Sequence, residues 1–422
     1  MKMCTRLNQI TPLRFAAAAL LCAGVLVSAA AAQDIKITDY NVPVTRGHRL
    51  FLNGSFQHHD GPYLYEDPAY SRTTNVDFYG KVESFYNSLP NAWSVALDTR
   101  WSGSKYDDAG MRFFEQSYLS ASFHQYPVET GLLFAGGSVN AIWAHGFDRP
   151  HVNLGFSLGL GRYVDATALA KAVRVNQFLI DEDILPGHLR KETLLDLATV
   201  IDRQDEYASR YGDTYPVWWY ADMDRTISTA AALPNGSVGP VGLLRVQEVV
   251  ERERVQRRAY GCNIEAGIDV PVSNEMSSKT GDPRPSLHGS FAWPVGLKHQ
   301  FSGDLRASSP VKAAFGKTFQ VNASITYAFE MSNRIDLVVM NQQTSHRQEF
   351  FYQTSYSRQT THTNLTTVSL VYYLENRVSL ESRGRYSYWD ARTESRQPSQ
   401  TRRHKSWRGT WELSFSVTYH VL

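Results

Sequence analysis

Apolar and polar residues alternate singly along most of the chain. The pattern is plainest near its end, where Trp411, Leu413, Phe415, Val417, Tyr419 and Val421 interleave with Glu412, Ser414, Ser416, Thr418 and His420. A period of two places successive side chains on opposite faces of a strand, so one face is apolar and the other polar. The same alternation runs through Phe319 to Phe329, Val368 to Leu374, Tyr260 to Ile268, Trp93 to Trp101, Val152 to Leu160 and Val76 to Val82. These runs last roughly 10 to 15 residues. That is longer than the ~5–6 of soluble strands and close to the ~9–11 that cross a bilayer with tilt. The pattern predicts six strands near 48–58, 71–84, 92–104, 111–125, 129–144 and 150–163. Eight more follow near 258–271, 286–294, 297–306, 317–329, 333–345, 362–374, 377–391 and 407–421. Gln342 to Tyr356 reads either as a strand extension or as an extra hairpin, giving about 14 strands or about 16.

From about Asp165 to Arg257 the period becomes helical. Thr167 to Ile180 places Leu169, Ala172, Val173, Asn176 and Ile180 on one face, and Arg190 to Ala208 does so with Leu194, Leu197, Ala198 and Ile201. Asp213-Thr214 before Pro216 is a helix-start signal, followed by Trp219, Met223, Ile227 and Ala230 at helical spacing. Ser237 to Pro240 opens a last helix with Leu243, Val246 and Val250, and the run Glu251 to Arg258 reads as its exposed, salt-bridged surface. Such faces fold on one another as a small bundle or dock on a strand layer.

Links between strands alternate in length. Tight ones (329–334, 373–377 and Trp293 to Gly296) are separated by longer polar ones at His59 to Ser71, Ser102 to Met111, Ser273 to Pro285 and Thr393 to Arg408. A sandwich has short turns at both ends, whereas transmembrane barrels have short periplasmic turns and long outer loops. Mean hydropathy is −0.36 with 12% aromatic residues. That combination suits strands with one apolar and one polar face, and after the N-terminal segment no run is long enough for a helical span of ~20 residues.

That N-terminal segment carries Lys2, Arg6 and Arg14, then Phe15 to Val27, then small residues to Ala32, as a secretory signal does. Its removal takes three basic residues and no acid, leaving 40 basic against 41 acidic residues. A nearly neutral chain excludes a nucleic-acid footprint. Cys4 and Cys22 leave with the signal, so Cys262 is alone and predicts neither an internal disulfide nor a cysteine metal site. Facing outward by alternation, Cys262 should react with lipid-soluble thiol reagents.

Signal, strand pattern, uneven links and the amphipathic C-terminal strand together make the chain resemble bacterial outer-membrane β-barrel proteins. It ends Tyr419-His-Val-Leu422 where that family usually ends in an aromatic residue. The resemblance implies an all-β transmembrane antiparallel barrel in the cell outer membrane, assembled by the barrel-assembly machinery and surrounded by outer-membrane lipid. The expected division is a signal at 1–32, an N-terminal periplasmic segment at 33–47, barrel at 48–163, a helical insertion at 164–257 and barrel again at 258–422. An even strand count before the insertion returns the chain to its starting side, so a periplasmic N-terminus makes the insertion periplasmic.

The inward face carries mixed charge, and Arg306, Glu381, Arg383, Arg385, Lys298, Asp304, Asp98 and Arg100 are the candidate pore-lining residues. They read either as a selectivity-tuning pore wall or as cross-strand ion pairs filling a closed lumen. No hydrolase, P-loop, zinc or calcium motif occurs, so no catalytic, cofactor or metal residue is assigned. His58-His59-Asp60 and Asp181-Glu182-Asp183 read as solvated polar residues. Trp218-Trp219-Tyr220 reads as bundle core before glycan platform. The expected function is a passive or gated pore with the helices as gate, plug or docking platform. The alternative is a non-conducting scaffold or export component recruiting a periplasmic protein through the helices, and an outer-membrane hydrolase is a third reading.

Overall fold

The computed structural model describes residues 35–62, 70–106, 110–231, 233, 236–253, 255–274, 281–311, 317–352, 355–375, 378–397 and 400–419. The expected signal lies outside them. From Lys36 onward the chain forms one compact unit. Its strands are β1 (Thr45–Pro62), β2 (Tyr70–Asn87), β3 (Asn91–Tyr106), β4 (Arg112–Gln125), β5 (Leu133–Ala144), β6 (His151–Asp165), β7 (Ala259–Ser273) and β8 (Arg284–Val295). They continue as β9 (His299–Ser308), β10 (Phe319–Ser332), β11 (Ile335–Tyr352), β12 (Ser355–Glu375), β13 (Val378–Gln397) and β14 (Gln400–Tyr419). All fourteen form one sheet in sequence order, each antiparallel to the next. Among the described residues no rung joins β1 to β14, which leaves these two as edges.

Fourteen strands, and not sixteen, result because β11 and β12 pair without interruption from Ile335↔Tyr372 to Tyr352↔Ser355. The polar stretch 342–356 is therefore one tall hairpin. The same correction applies to the loop expected at Thr393 to Arg408: those residues pair as the upper part of β13 and β14, up to Gln397↔Gln400. Polar composition suggested loops, but rungs are made by backbone whatever the side chains are, and β-branched and long polar residues tolerate extended structure. The other long links are likewise shortened by strand, since β1 runs to Pro62 and β3 to Tyr106.

Register aligns the alternation across strands. Leu50 stands opposite Val82, then in turn come Leu97, Leu119, Ala141 and Val152. Much of this face is exposed: Leu50, Leu52, Phe56, Trp93, Trp101, Leu158, Ile264, Trp293, Leu413 and Phe415 all lie open, and Trp411 is 80% exposed. Cys262 is exposed on the same face, as expected.

The helices lie between β6 and β7: α1 (Thr167–Asp181), α2 (Lys191–Asp202), α3 (Gln204–Tyr211), α4 (Tyr215–Ala231) and α5 (Gly239–Gln247), with a π-turn at Glu248–Arg252. The helix expected over Arg190 to Ala208 is broken at Arg203, which both ends α2 and starts α3. The buried stripe of α1 is Ala168, Leu169, Ala172, Val175, Asn176 and Leu179, so the expected Val173 and Ile180 lie beside it. Arg174, also buried, selects this stripe by its ion pairs with strand residues described below. Trp219, Met223 and Ile227 fill the bundle core with Leu194, Leu197 and Val246 as expected, whereas Ala230 is exposed. Each such aliphatic or aromatic burial contributes about 1.5–3 kcal/mol. Trp219 also donates its indole N–H to the Val200 carbonyl at 2.8 Å.

Antiparallel order puts alternate links at opposite ends. The helices therefore share an end with the short links 88–90, 126–132, 296–298 and 333–334. Glycines mark the junction: Gly161 (φ +113°) and Gly261 (φ +94°) bring β6 and β7 so close that a Cβ would meet the Cys262 carbonyl oxygen at 2.0 Å or that of Arg162 at 2.2 Å.

Candidate functional site

The polar face of the sheet and the helix-bearing end meet in one region. On the polar face, Asp98 accepts the Tyr79 hydroxyl at 2.8 Å, and Arg100 pairs with Asp77 at 3.7 Å. Asp304 holds Arg306 at 3.3 Å and the His288 ring at 2.7 Å, with Glu265 on the other ring nitrogen at 3.7 Å. Glu381 and Arg383 pair at 2.8 Å on β13, and Arg385 lies 3.9 Å from Glu412 of β14. Seven of the eight predicted residues thus lie on polar-face strand positions, each with an oppositely charged or hydroxyl partner. Lys298 does not: it sits exposed in the turn 296–298, because β9 starts one residue later. The seven form three separate patches, on β2–β3, on β8–β9 and on β13–β14.

Facing carboxylates and guanidiniums neutralise one another on this wall, so it offers polar, charge-balanced surface and no single-sign field. Among the described residues no group of three His, Cys, Asp or Glu could hold a metal ion. His58 bonds the Thr74 hydroxyl at 2.9 Å, and the side chains of His59 and Asp60 lie outside the described residues. Of the acidic run after α1, Glu182 pairs with Arg245 of α5 and Asp181 with Gln177.

The helices reach this wall from two sides. On β1, polar-face Arg49 bonds Asp205 of α3, and a Cβ on Gly47 would stand 3.3 Å from Asp205 Cβ. On β10, polar-face Glu330 receives Arg174 of α1 together with Arg258, which is 0% exposed and 3.1 Å away. Arg174 also pairs with Glu253 at 3.2 Å. Arg258 donates further to the carbonyls of Leu297 and Lys298 in the β8–β9 turn. The run Glu251 to Arg258, expected as exposed helix surface, is exposed at Glu251, Arg252 and Arg257, but the helix ends at Arg252 and the last residue of the run, Arg258, is buried in this junction. Periodicity could not have found it, because its partners lie some 40 to 80 residues away in sequence.

The leader of β1 is held in the same place. Tyr40 is buried, donates its hydroxyl to Asp202 of α2 at 2.8 Å, and offers its carbonyl to Tyr260 at 2.5 Å, while Asp39 pairs with Lys191 at 2.9 Å. Six strand spacings of about 4.8 Å would hold β1 and β7 nearly 29 Å apart in a flat sheet. The extended stretch from Tyr40 to Thr45 reaches only ~17 Å, to which one tyrosine side chain is added. Both this tie and the shared helical layer under β1 and β10 require the sheet to curve around its polar face.

Burial shifts the groups of this junction. It raises the carboxyls of Asp202 and Glu253 against the opposing pull of Tyr40 and Arg174, and lowers Lys171 and Arg258. Lys191 holds Asp39 below the usual range, and burial followed by the Asp222 hydrogen bond pushes Tyr207 up to about 12.

A second device missed by the sequence reading is Arg162, whose guanidinium donates to the carbonyls of Gly131 at 2.9 Å and Leu89 at 3.0 Å and to that of Glu129. It ties together two short links and lies over the Tyr126 ring at 4.1 Å.

No protein-family model matches the chain, and no curated protein matches it. Among solved structures, that of OccK5 (OpdH) from Pseudomonas aeruginosa is similar at 7% identity and a TM-score of 0.21, covering 89% of this chain and 97% of that one. A likeness at that score leaves the fold to rest on the strands themselves. What they define is a fourteen-stranded, sequentially antiparallel sheet with one apolar and one polar face and a helical layer at one end.

Proposed function

We propose that the chain is an outer-membrane β-barrel pore, closed by pairing β1 with β14, with the helices as a plug or gate at the periplasmic end. The carrying observation is the apolar face shared by the fourteen strands, with large hydrophobic residues exposed, among the described residues, on every strand except β11. A surface far beyond the few hundred Å² that soluble monomers expose needs lipid to cover it. Strands of 10 to 21 residues are long enough to cross a bilayer at barrel tilt. An even count makes β14 antiparallel to β1, the arrangement closure requires, and fourteen strands enclose a path wider than side chains alone fill. The charged polar face then lines that path, and the contacts of α1 with Glu330 and of α3 with Arg49 support helices that lie across it.

The test is planar-bilayer conductance of the refolded mature chain with and without residues 165–256. Conductance steps in both forms, larger or more frequent without the helices, are expected. Silence in both, with folded barrel, refutes the pore. It would favour the second reading, a non-conducting scaffold, for which the exposed Val217, Trp218, Val241 and Leu244 on the helices supply partner-facing apolar surface.

A further inference from the structure

Two neighbouring rows of cross-strand partners cross the upper part of β11–β14, at the end away from the helices. One runs Arg347, Thr360, Arg392, Lys405; the next runs Glu349, Arg358, Glu394, Arg403. By alternation both rows share the face of Leu337, Val368 and Leu413. Followed from the helix end, that face on β13 and β14 passes from a mostly apolar stretch with Leu380, Val417, Phe415 and Leu413 through Tyr386, Tyr388, Trp411 and Trp407 to these cations. Apolar, aromatic, then basic is the order of a membrane, its interface and an anionic head-group layer.

The carboxylates lie beneath the cations. The Glu349 side chain is 2% exposed and receives Arg347 at 3.0 Å and Arg358 at 2.7 Å. Asp390, one step toward the aromatic residues, is 6% exposed and takes Arg392 at 3.0 Å; Glu394 is 18% exposed and takes Arg403 at 3.5 Å. Arg392 and Arg403 are themselves 61% and 76% exposed. Buried or half-buried acids thus hold guanidiniums that are themselves exposed. In addition, Arg392 stands directly opposite Lys405, while Asp390 and Glu394 are already engaged by Arg392 and Arg403. Like charges directly opposite one another destabilise an antiparallel pair. An anion between them converts that repulsion into attraction, and a phosphate suits it, accepting two donors from an arginine fork and a third from lysine.

We infer that this patch binds the phosphate head groups of membrane lipid, and the inference rests on the transmembrane reading above. Lipid is the source because Lys405 is the next residue on this face after Trp407, so the cations begin where the aromatic band ends, at the depth where head groups lie.

The mature chain would be refolded into phosphatidylcholine vesicles containing a minor fraction of chain-brominated phosphatidic acid or chain-brominated phosphatidylcholine, and tryptophan quenching compared. Preference for phosphatidic acid is expected. R392Q/K405Q should reduce it about fivefold per charge removed, whereas E394Q, which removes the half-buried acid paired with Arg403, should increase it. Opposite signs in two variants cannot both come from misfolding. No preference, a preference unchanged in R392Q/K405Q, or one abolished by inorganic phosphate in the buffer overturns the inference, the last by making the patch a free-anion site. A chain that alkaline carbonate extracts from the vesicles overturns the transmembrane reading, and this inference with it.

Discussion

Glu330 is the side chain on which the helix–strand junction depends, because two arginines that are almost entirely buried share its carboxylate. Glu330→Gln removes the charge and leaves Arg174 and Arg258 facing each other in a dry site; breaking a buried pair this way costs about 3–5 kcal/mol. The expected outcome is early loss of the helical circular-dichroism signal on urea titration, with the strand signal retained. Adding Arg174→Met should recover part of the loss. At Asp202 the sign is reversed. Burial raises its carboxyl in the folded state, so the folded form holds that proton more tightly than the unfolded chain does. Stability of the helical layer therefore falls as pH rises from the ordinary carboxylate range of about 4 through the raised value. Glu253 adds the same slope, while Asp39 and Glu206, held low, act only below that window. Asp202→Asn should raise the thermal midpoint at neutral pH and flatten its dependence on pH between neutral and mildly acidic buffer. A steeper dependence would reject the account.

At the scale of elements, alternation fixes which faces meet when β1 and β14 pair. Even-numbered residues of β1 and odd-numbered residues of β14 share the apolar face. A cysteine at Leu52 should form a disulfide with one at Leu413 or Phe415 and not with one at Ser414; cross-linking at Ser414 would refute the pairing. The strands themselves were legible because a period of two over ten or more residues leaves little else to build. The upper parts of β11 to β14 were not: Arg347, Arg392 and Lys405 carry no apolar signal, and their strand geometry comes from the rungs of their neighbours. The break at Arg203 was equally hidden, because Gln204 to Tyr211 keeps good helix formers through the turn.

For the whole molecule, the antiparallel order puts the helices and the β13–β14 hairpin at opposite ends. In the pore reading a tag inserted between Gln397 and Gln400 should be labelled on intact cells, whereas one between Leu185 and Arg190 should not. Reversed labelling would invert the orientation. Cys262, on the apolar face, should react with a membrane-permeant maleimide and resist a charged one.

The sequence by itself determined the strands, their two faces, the place of the helices between the sixth and seventh strand, and the polar wall on which seven candidate residues stand, because each is written in local periodicity. Tertiary structure alone decided that Lys298 lies in a turn, that Arg258 at the end of the charged run is buried, and that Arg49 and Glu330 bind the helices. Those facts depend on contacts between residues far apart along the chain. A charged residue reads the same in sequence whether water or another charge surrounds it, and only the fold says which.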